Sequence, residues 1–286
     1  MGRVQGKVAF ITGAGRGQGR SHAVRLAEEG ADIIAVDICQ NIDTVQYALA
    51  SGEDLQETAR LVEKLDRRVV AVQADVRDAA AVRAAFDRGL SELGKVDIVV
   101  TAAGIAPLRG QPPLQAWSDV IDTNLVGTFN AIQAALPHLS EGASIIATGS
   151  AAALMNHAIV ETPGSDPGGT GYSYTKRALA DYIHELALNL APLGIRANVV
   201  HPTNVNTPML QSEPMYRSFR RDLANPTRED AEKAFPAMQA MKIPYVEAID
   251  ISNAVLYLAS DESRYVTGIQ MRIDAGGYLK THGFHA

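Results

Sequence analysis

The sequence predicts a doubly wound α/β fold, a single parallel sheet with helices packed on both faces. Three observations carry this reading. Short apolar runs alternate with longer stretches of helical periodicity along the whole chain. Several of those runs are apolar at nearly every position, as strands covered on both faces must be. A glycine cluster, TGAGRGQGRS (12–21), sits where the first run meets the first helix.

The strand candidates are KVAFIT (7–12), DIIAVDI (32–38), RVVAVQA (68–74), KVDIVVTA (95–102), ASIIATG (143–149), GIRANVVH (194–201) and GIQMRID (268–274). Between them, helical spacing covers 21–30, where Gly30 supplies a C-cap, then 53–65, 79–94, 114–136 and 172–194. Repeated strand–helix–strand units require right-handed crossovers and a parallel sheet. Neither an internal repeat nor a low-complexity linker interrupts the pattern, so residues 1–286 are expected to form one domain. Three stretches stand outside it. Residues 39–52 lengthen the connection after the second strand, and 154–171, rich in Gly and Pro, read as a loop. Residues 208–247, with five prolines, read as a partly helical, mobile substrate-binding lobe.

Composition narrows the function. With 286 residues, 47% hydrophobic and 20% charged, the chain can bury a large core. A net charge of −6 argues against a nucleic-acid or anionic-membrane partner, either of which favours a basic face. No apolar run approaches the ~20 residues that span a bilayer. The start, MGRVQGKVAF, has neither a signal pattern nor the Ser or Thr that myristoylation needs at position 6. One cysteine, Cys39, permits no internal disulfide and no thiolate metal site. No H-E-x-x-H pattern is present, and no metal is expected; His282 and His285 read as tail. A reducing cytoplasm fits these features.

Gly13, Gly17 and Gly19 follow a G-x-x-x-G-x-G spacing after a strand and before a helix. Residues without Cβ allow a tight turn and close approach to a pyrophosphate, while the helix N-terminus offers N–H donors to the anion. An acid stands 18 residues beyond Gly19. This acid, Asp37, can accept hydrogen bonds from ribose hydroxyls and repel a 2′-phosphate, which favours NAD over NADP. Arg16, a guanidinium within the glycine loop, pulls the other way. Asp75 and Val76, after the third strand, are placed to flank the adenine.

The segment GYSYTK (171–176) offers two phenols ahead of a lysine. On a helix, Tyr172 and Lys176 share a face and Tyr174 does not. An ammonium beside a phenol should lower its pKa from near 10, so Tyr172 could exchange a proton with an alcohol. Ser150, beyond the strand ASIIATG, lies at the carboxyl edge of the sheet and could hold the substrate oxygen. Asn124, within DTNLVG, could bind a water against Lys176. Each has a plainer role available: cap, core amide or surface pair. Met155, Met209, Met215, Met238 and Met241, with Phe219 and Phe235, could line an adaptable apolar pocket or serve as ordinary core. Trp117 reads as packing or a subunit contact.

Taken together, TGAGRGQG, Asp37, ADV (74–76), DTNLVG, Ser150, Tyr172 with Lys176, and HPTNVNTPM (201–209) resemble the short-chain dehydrogenase/reductase family across the chain. That resemblance implies a seven-stranded Rossmann-like sheet and a catalytic tetrad of Asn124, Ser150, Tyr172 and Lys176, with Tyr172 and Lys176 also touching the cofactor. It implies dinucleotide contacts from Gly13, Arg16, Gly17, Gln18, Gly19, Asp37, Ile38, Asp75, Val76, Ala103 and Gly104, with Pro202, Val205 and Thr207 on the nicotinamide side. More narrowly, TGAGRGQGRSHAVRLAEEGADIIAVDIC and HPTNVNTPM resemble the carveol-dehydrogenase-type branch, associated with the redox peptide cofactor mycofactocin. Members carry extra sequence after the second strand, as 39–52 does here. The implied activity is NAD-dependent interconversion of a hydrophobic secondary alcohol and its ketone in a homotetramer, with NAD kept bound and its reduced form reoxidised in place by a redox partner. A reductase of 3-oxoacyl or steroid ketones and a non-catalytic NAD sensor are the alternatives. Three departures stand out. Thr101-Ala102-Ala103-Gly104 replaces the family's NNAG, Thr203 replaces a glycine, and Ser150 lies an unusually wide 22 residues before Tyr172, which leaves Thr148 as another candidate hydroxyl.

Overall fold

In the computed structural model, which describes residues 2–154 and 166–281, the apolar runs become β1 (Val8–Thr12), β2 (Asp32–Asp37), β3 (Val69–Gln73), β4 (Ile98–Thr101), β5 (Ser144–Thr148), β6 (Arg196–Pro202) and β7 (Gln270–Ile273). They pair in parallel throughout, in the order β3-β2-β1-β4-β5-β6-β7. The strand order reverses between β1 and β4, and the crevice beyond the carboxyl ends at such a switch point is where open α/β sheets bind ligands. Alternate residues feed opposite faces. Phe10, Ile34, Val99 and Ile145 enter one apolar layer, Ile11, Ile33, Val100 and Ile146 the other. Helices cover both layers, giving the expected Rossmann-like fold.

The helices are α1 (Gly17–Glu28), α2 (Gly52–Glu63), α3 (Ala79–Leu93), α4 (Pro113–Ile121), α5 (Gly127–Ala135), α6 (Pro167–Leu190), α7 (Glu213–Phe219), α8 (Arg228–Ala234), α9 (Ala248–Ala259) and α10 (Gly277–Thr281). Gly30 ends α1 as expected, with φ of 96° and its N–H donating to the Ala27 carbonyl at 2.9 Å.

Several boundaries differ from the sequence reading, each for a physical reason. α1 begins at Gly17 rather than Ser21, and its N-terminus has no side-chain cap. The predicted helix 114–136 is one rod interrupted by a π turn over Asp122–Val126 that contains Asn124. α6 starts at Pro167, inside the stretch that reads as a loop, with Asp166 capping it through a 2.9 Å bond from the Gly169 N–H. Glycines weaken helices in isolation, but a Cβ on Gly171 would come within 2.5 Å of Val120 and 3.2 Å of Trp117. Close packing of α4 on α6 therefore requires the residues that make the segment look unstructured. Trp117 completes this contact, its ring 5.9 Å from that of Tyr174.

The 208–247 lobe has a core of its own. Phe235 is fully buried and meets Phe219 edge-on at 4.8 Å, with Leu210, Ala231 and Met215 around them. These aromatics thus pack the lobe rather than line a pocket. Met209 lines the sheet-edge cleft, Met241 is exposed, and Met155 lies outside the described residues, as do His282 and His285.

His22 of α1 is sealed against α9, its Nδ1 2.8 Å from the Ser252 hydroxyl. Burial lowers its pKa to about 3. Below the ordinary value of 6.5 the unfolded chain takes up a proton that the folded protein refuses. Stability should therefore fall as pH drops from 6.5 toward 3, by about 1.4 kcal/mol per unit from this group. Urea unfolding between these limits should show a shallower acid limb for His22→Asn than for the parent. Equal slopes would remove His22 as the cause.

Candidate active site

A cleft opens at the switch point, where open α/β sheets take their ligands. Its floor is the β1–α1 turn. Gly13 (φ 69°) and Gly17 (φ 56°) adopt left-handed conformations, and a Cβ on Gly13 would lie 2.6 Å from the Ala103 backbone. Uncapped N–H groups at the start of α1 face this turn, a fit for a pyrophosphate. Gln18, Gly19, Ile38, Val76 and Gly104 also line the cleft, and Thr207 lies over Gly17.

Asp37 ends β2, nearly buried. Its carboxylate accepts the Gly15 N–H at 2.8 Å and the Cys39 N–H at 3.3 Å, while burial pushes its pKa up. Arg16 also lines the cleft, with its guanidinium donating to the Ala48 carbonyl. Asp75 lines the cleft and is held by Arg77, at 2.6 Å between Nη2 and Oδ2.

Residues 39–51 form a strap across the cleft, which sequence reading placed only as a lengthened connection. Ile42, Tyr47, Leu49 and Ala50 line the cleft from above. Ile42 and Val45 pack with Ile105 and Val120 in a small core that includes Tyr47 and Tyr172. Besides the Arg16 bond to Ala48, the strap is fastened by the buried Thr44 hydroxyl to Asp119 Oδ2 at 2.6 Å, the Ala106 N–H to the Tyr47 hydroxyl at 3.0 Å, and Gln46 Nε2 to the Arg109 carbonyl at 3.0 Å.

Of the two tyrosines, Tyr174 is exposed and Tyr172 sits half-buried beneath the strap. The Ser150 side chain lies near enough to the Tyr172 phenol to favour its ionised form, and its hydroxyl also accepts the Ala152 N–H at 3.2 Å. Lys176 lies one turn on, 5.8 Å from the Tyr172 ring centre, with Nζ donating to the Thr148 carbonyl at 2.6 Å. The expected lowering of the phenol is corrected here: burial dominates and pushes Tyr172 up, opposed by the Ser150 side chain. Burial also brings Lys176 down to about 8.

Asn124 is fully buried, and its amide clasps a single residue, accepting the Ile105 N–H at 2.8 Å and donating to the Ile105 carbonyl at 3.0 Å. It thus anchors the loop after β4. Gly104 separates it from Lys176, since a Cβ there would lie 3.3 Å from Asn124 Oδ1 and 3.7 Å from Lys176 Nζ. Where the family's paired amides are absent, Thr12 substitutes, its hydroxyl accepting the Ala103 N–H at 3.4 Å. Pro202 closes β6, and Val205 bridges to Val246. Sequence reading also missed His201, packed under Ser150, because nothing local distinguishes it from an ordinary strand residue. Among the described residues, no group of three His, Cys, Asp or Glu side chains could hold a metal, and no helix is long and apolar enough to cross a membrane.

A glycine turn at the switch point of a doubly wound sheet, with an acid ending the next strand, defines a dinucleotide-binding α/β protein. The comparisons narrow this class. A family model described as enoyl-(acyl carrier protein) reductase matches residues 13–278. The (−)-trans-carveol dehydrogenase of Rhodococcus erythropolis is 46% identical over 286 residues, covering 98% of this chain and all of that one. Carveol dehydrogenase from Mycobacterium avium, solved in complex with NAD, superposes with a TM-score of 0.90 at 44% identity, covering 98% of this chain and 100% of the other. A short-chain dehydrogenase from Mycobacterium paratuberculosis bound to NAD gives 0.82 at 38% identity, over 97% and 100%. The chain belongs to the short-chain dehydrogenase/reductase family.

Proposed function

We propose that the protein oxidises a hydrophobic secondary alcohol of terpenoid type to its ketone, and runs the reverse reduction, with Tyr172 as acid/base. It is an NAD-dependent short-chain dehydrogenase. The observation that carries the reading is the grouping of Tyr172, Ser150 and Lys176 beside the cleft that holds the glycine turn and Asp37, against its lining residues Gly104, Ile105 and Tyr47. When bound, NAD supplies the hydride acceptor. Ser150 holds the substrate oxygen against Tyr172, whose ionised oxygen takes the hydroxyl proton in the oxidation and whose neutral phenol returns it in the reduction. Lys176, mostly protonated at neutral pH, provides positive charge and a donor for ribose hydroxyls. Asn124 acts through the loop it clasps.

NAD is favoured over NADP because the space a 2′-phosphate needs is bounded by the Asp37 carboxylate and Ala50. A Cβ on Gly15 alone would meet these at 2.9 and 2.8 Å. The strap supports retention of the nucleotide between turnovers, with a separate redox partner, of the mycofactocin kind, reoxidising it in place. The whole chain, 1–286, acts as one domain, in the cytoplasm. Exposed Leu114, Val126, Phe129 and Tyr174 on α4 through α6 support assembly as a homotetramer.

The test is a panel of carveol-like, steroid and 3-hydroxyacyl substrates, followed by nicotinamide absorbance. The expected result is turnover of the monocyclic terpenoid alcohols with NAD and little with NADP. Preference for a steroid or acyl substrate would move the assignment within the family. No turnover of any alcohol, with NAD bound, would favour a sensor.

A further inference from the structure

We infer that His201 is a positioning residue for the reaction, holding the Ser150 backbone so that its hydroxyl meets Tyr172. The inference rests on the acid/base reading above and extends it to a residue outside the tetrad. His201 is the penultimate residue of β6 and is fully buried. Its Nδ1 lies 2.9 Å from the Ser150 carbonyl oxygen and 3.2 Å from the Ser150 amide nitrogen. One nitrogen cannot serve both bonds in one tautomer. The shorter contact assigns Nδ1–H as donor to the carbonyl. Burial keeps the ring neutral by holding its pKa below the ordinary value.

The packing around the ring shows that this contact shapes the site. Gly149 precedes Ser150, and a Cβ there would come within 2.6 Å of His201 Cε1 and Nδ1, so the chain passes directly over the imidazole. On the other side of Gly149, Lys176 donates to the Thr148 carbonyl at 2.6 Å. The three residues that leave β5 are therefore fixed at both ends, by Lys176 at Thr148 and by His201 at Ser150. A leucine would fill the same volume. Only a donor at the Nδ1 position ties down Ser150, and Asn places its amide nitrogen near that position whereas Leu offers none.

The experiment compares His201→Leu and His201→Asn with the parent in two measurements on the NAD-loaded protein. The first is steady-state oxidation of (−)-trans-carveol. His201→Leu should lower kcat by roughly 10–100-fold, as expected when a reacting group is displaced by about 1 Å, with KM for carveol and NAD affinity near the parent values. His201→Asn should recover most of the loss. The second needs no substrate: ultraviolet difference titration of the Tyr172 phenol, which faces Ser150, Lys176 and Tyr47, assigned by its absence in Tyr172→Phe. His201→Leu should ionise Tyr172 at higher pH than the parent, because the Ser150 side chain that favours the phenolate is no longer held in place, while His201→Asn follows the parent.

The inference is overturned if His201→Leu matches the parent in the titration, or if Leu and Asn impair equally. If Tyr172→Phe itself turns over carveol normally, it is the acid/base assignment that fails. Impairment in Tyr172→Phe without any change in His201→Leu removes the role of His201 alone.

Discussion

Tyr172→Phe should slow alcohol oxidation by roughly 10²–10⁴-fold, the usual contribution of a positioned general acid/base, while leaving NAD affinity and folding nearly unchanged. Phe keeps the ring that packs with Ile42, Val45, Ile105 and Val120, so the small core under the strap survives the substitution. What disappears is the hydroxyl beside Ser150. Burial raises this phenol, so Lys176 alone does not prepare it for proton transfer at neutral pH. On the proposed mechanism the further positive charge would come with the oxidised nucleotide, so the proton step should require a loaded site. Stopped-flow hydride transfer and steady-state turnover together check this. Near-parental rates in the variant would leave the reaction without its proposed proton acceptor.

Tyr47→Ala should accelerate NAD release by roughly 10–100-fold, corresponding to ~1.5–3 kcal/mol for burial of one large side chain. Tyr47 roofs the cleft and its hydroxyl accepts the Ala106 N–H, so its loss opens the roof and frees one of the strap's fastenings. The parent should emerge from purification with NAD bound and exchange it slowly against labelled NAD in a rapid-filtration chase. A parent that arrives empty and exchanges freely during turnover would refute retention; an unchanged rate in Tyr47→Ala would relieve the strap of that role.

The sheet and the nucleotide end were legible because their signals are local. Strands buried on both faces announce themselves by composition, and Gly13, Gly17, Gly19 and Asp37 sit at fixed offsets from strand ends. Tyr172 and Lys176 were legible through helical spacing only together with Ser150, Asn124 and the surrounding family motifs. The remainder depends on contacts between distant segments. Pro167 to Gly171 reads as loop because its glycines answer to Val120, Trp117 and Pro107 rather than to helix propensity. The strap has no periodicity to betray its path, since its bonds run to Ala106, Arg109 and Asp119. The direction of the Tyr172 pKa shift is set by enclosure, which spacing does not reveal, and His201 gains meaning only beside Ser150.

The carboxylate that begins α6 has a second tenant. Asp166 Oδ1 takes the Arg109 N–H at 2.7 Å as well as the Gly169 N–H at 2.9 Å, and Arg109 in turn receives Gln46 from the strap. One side chain thus links the roof over the nucleotide to the first turn of the helix that bears Tyr172. A roof displaced far enough to let a dinucleotide escape pulls on that turn. On the proposed mechanism, emptying the protein should therefore slacken the hold on the Tyr172 phenol at the same moment, so that loading and proton transfer are tied through one carboxylate.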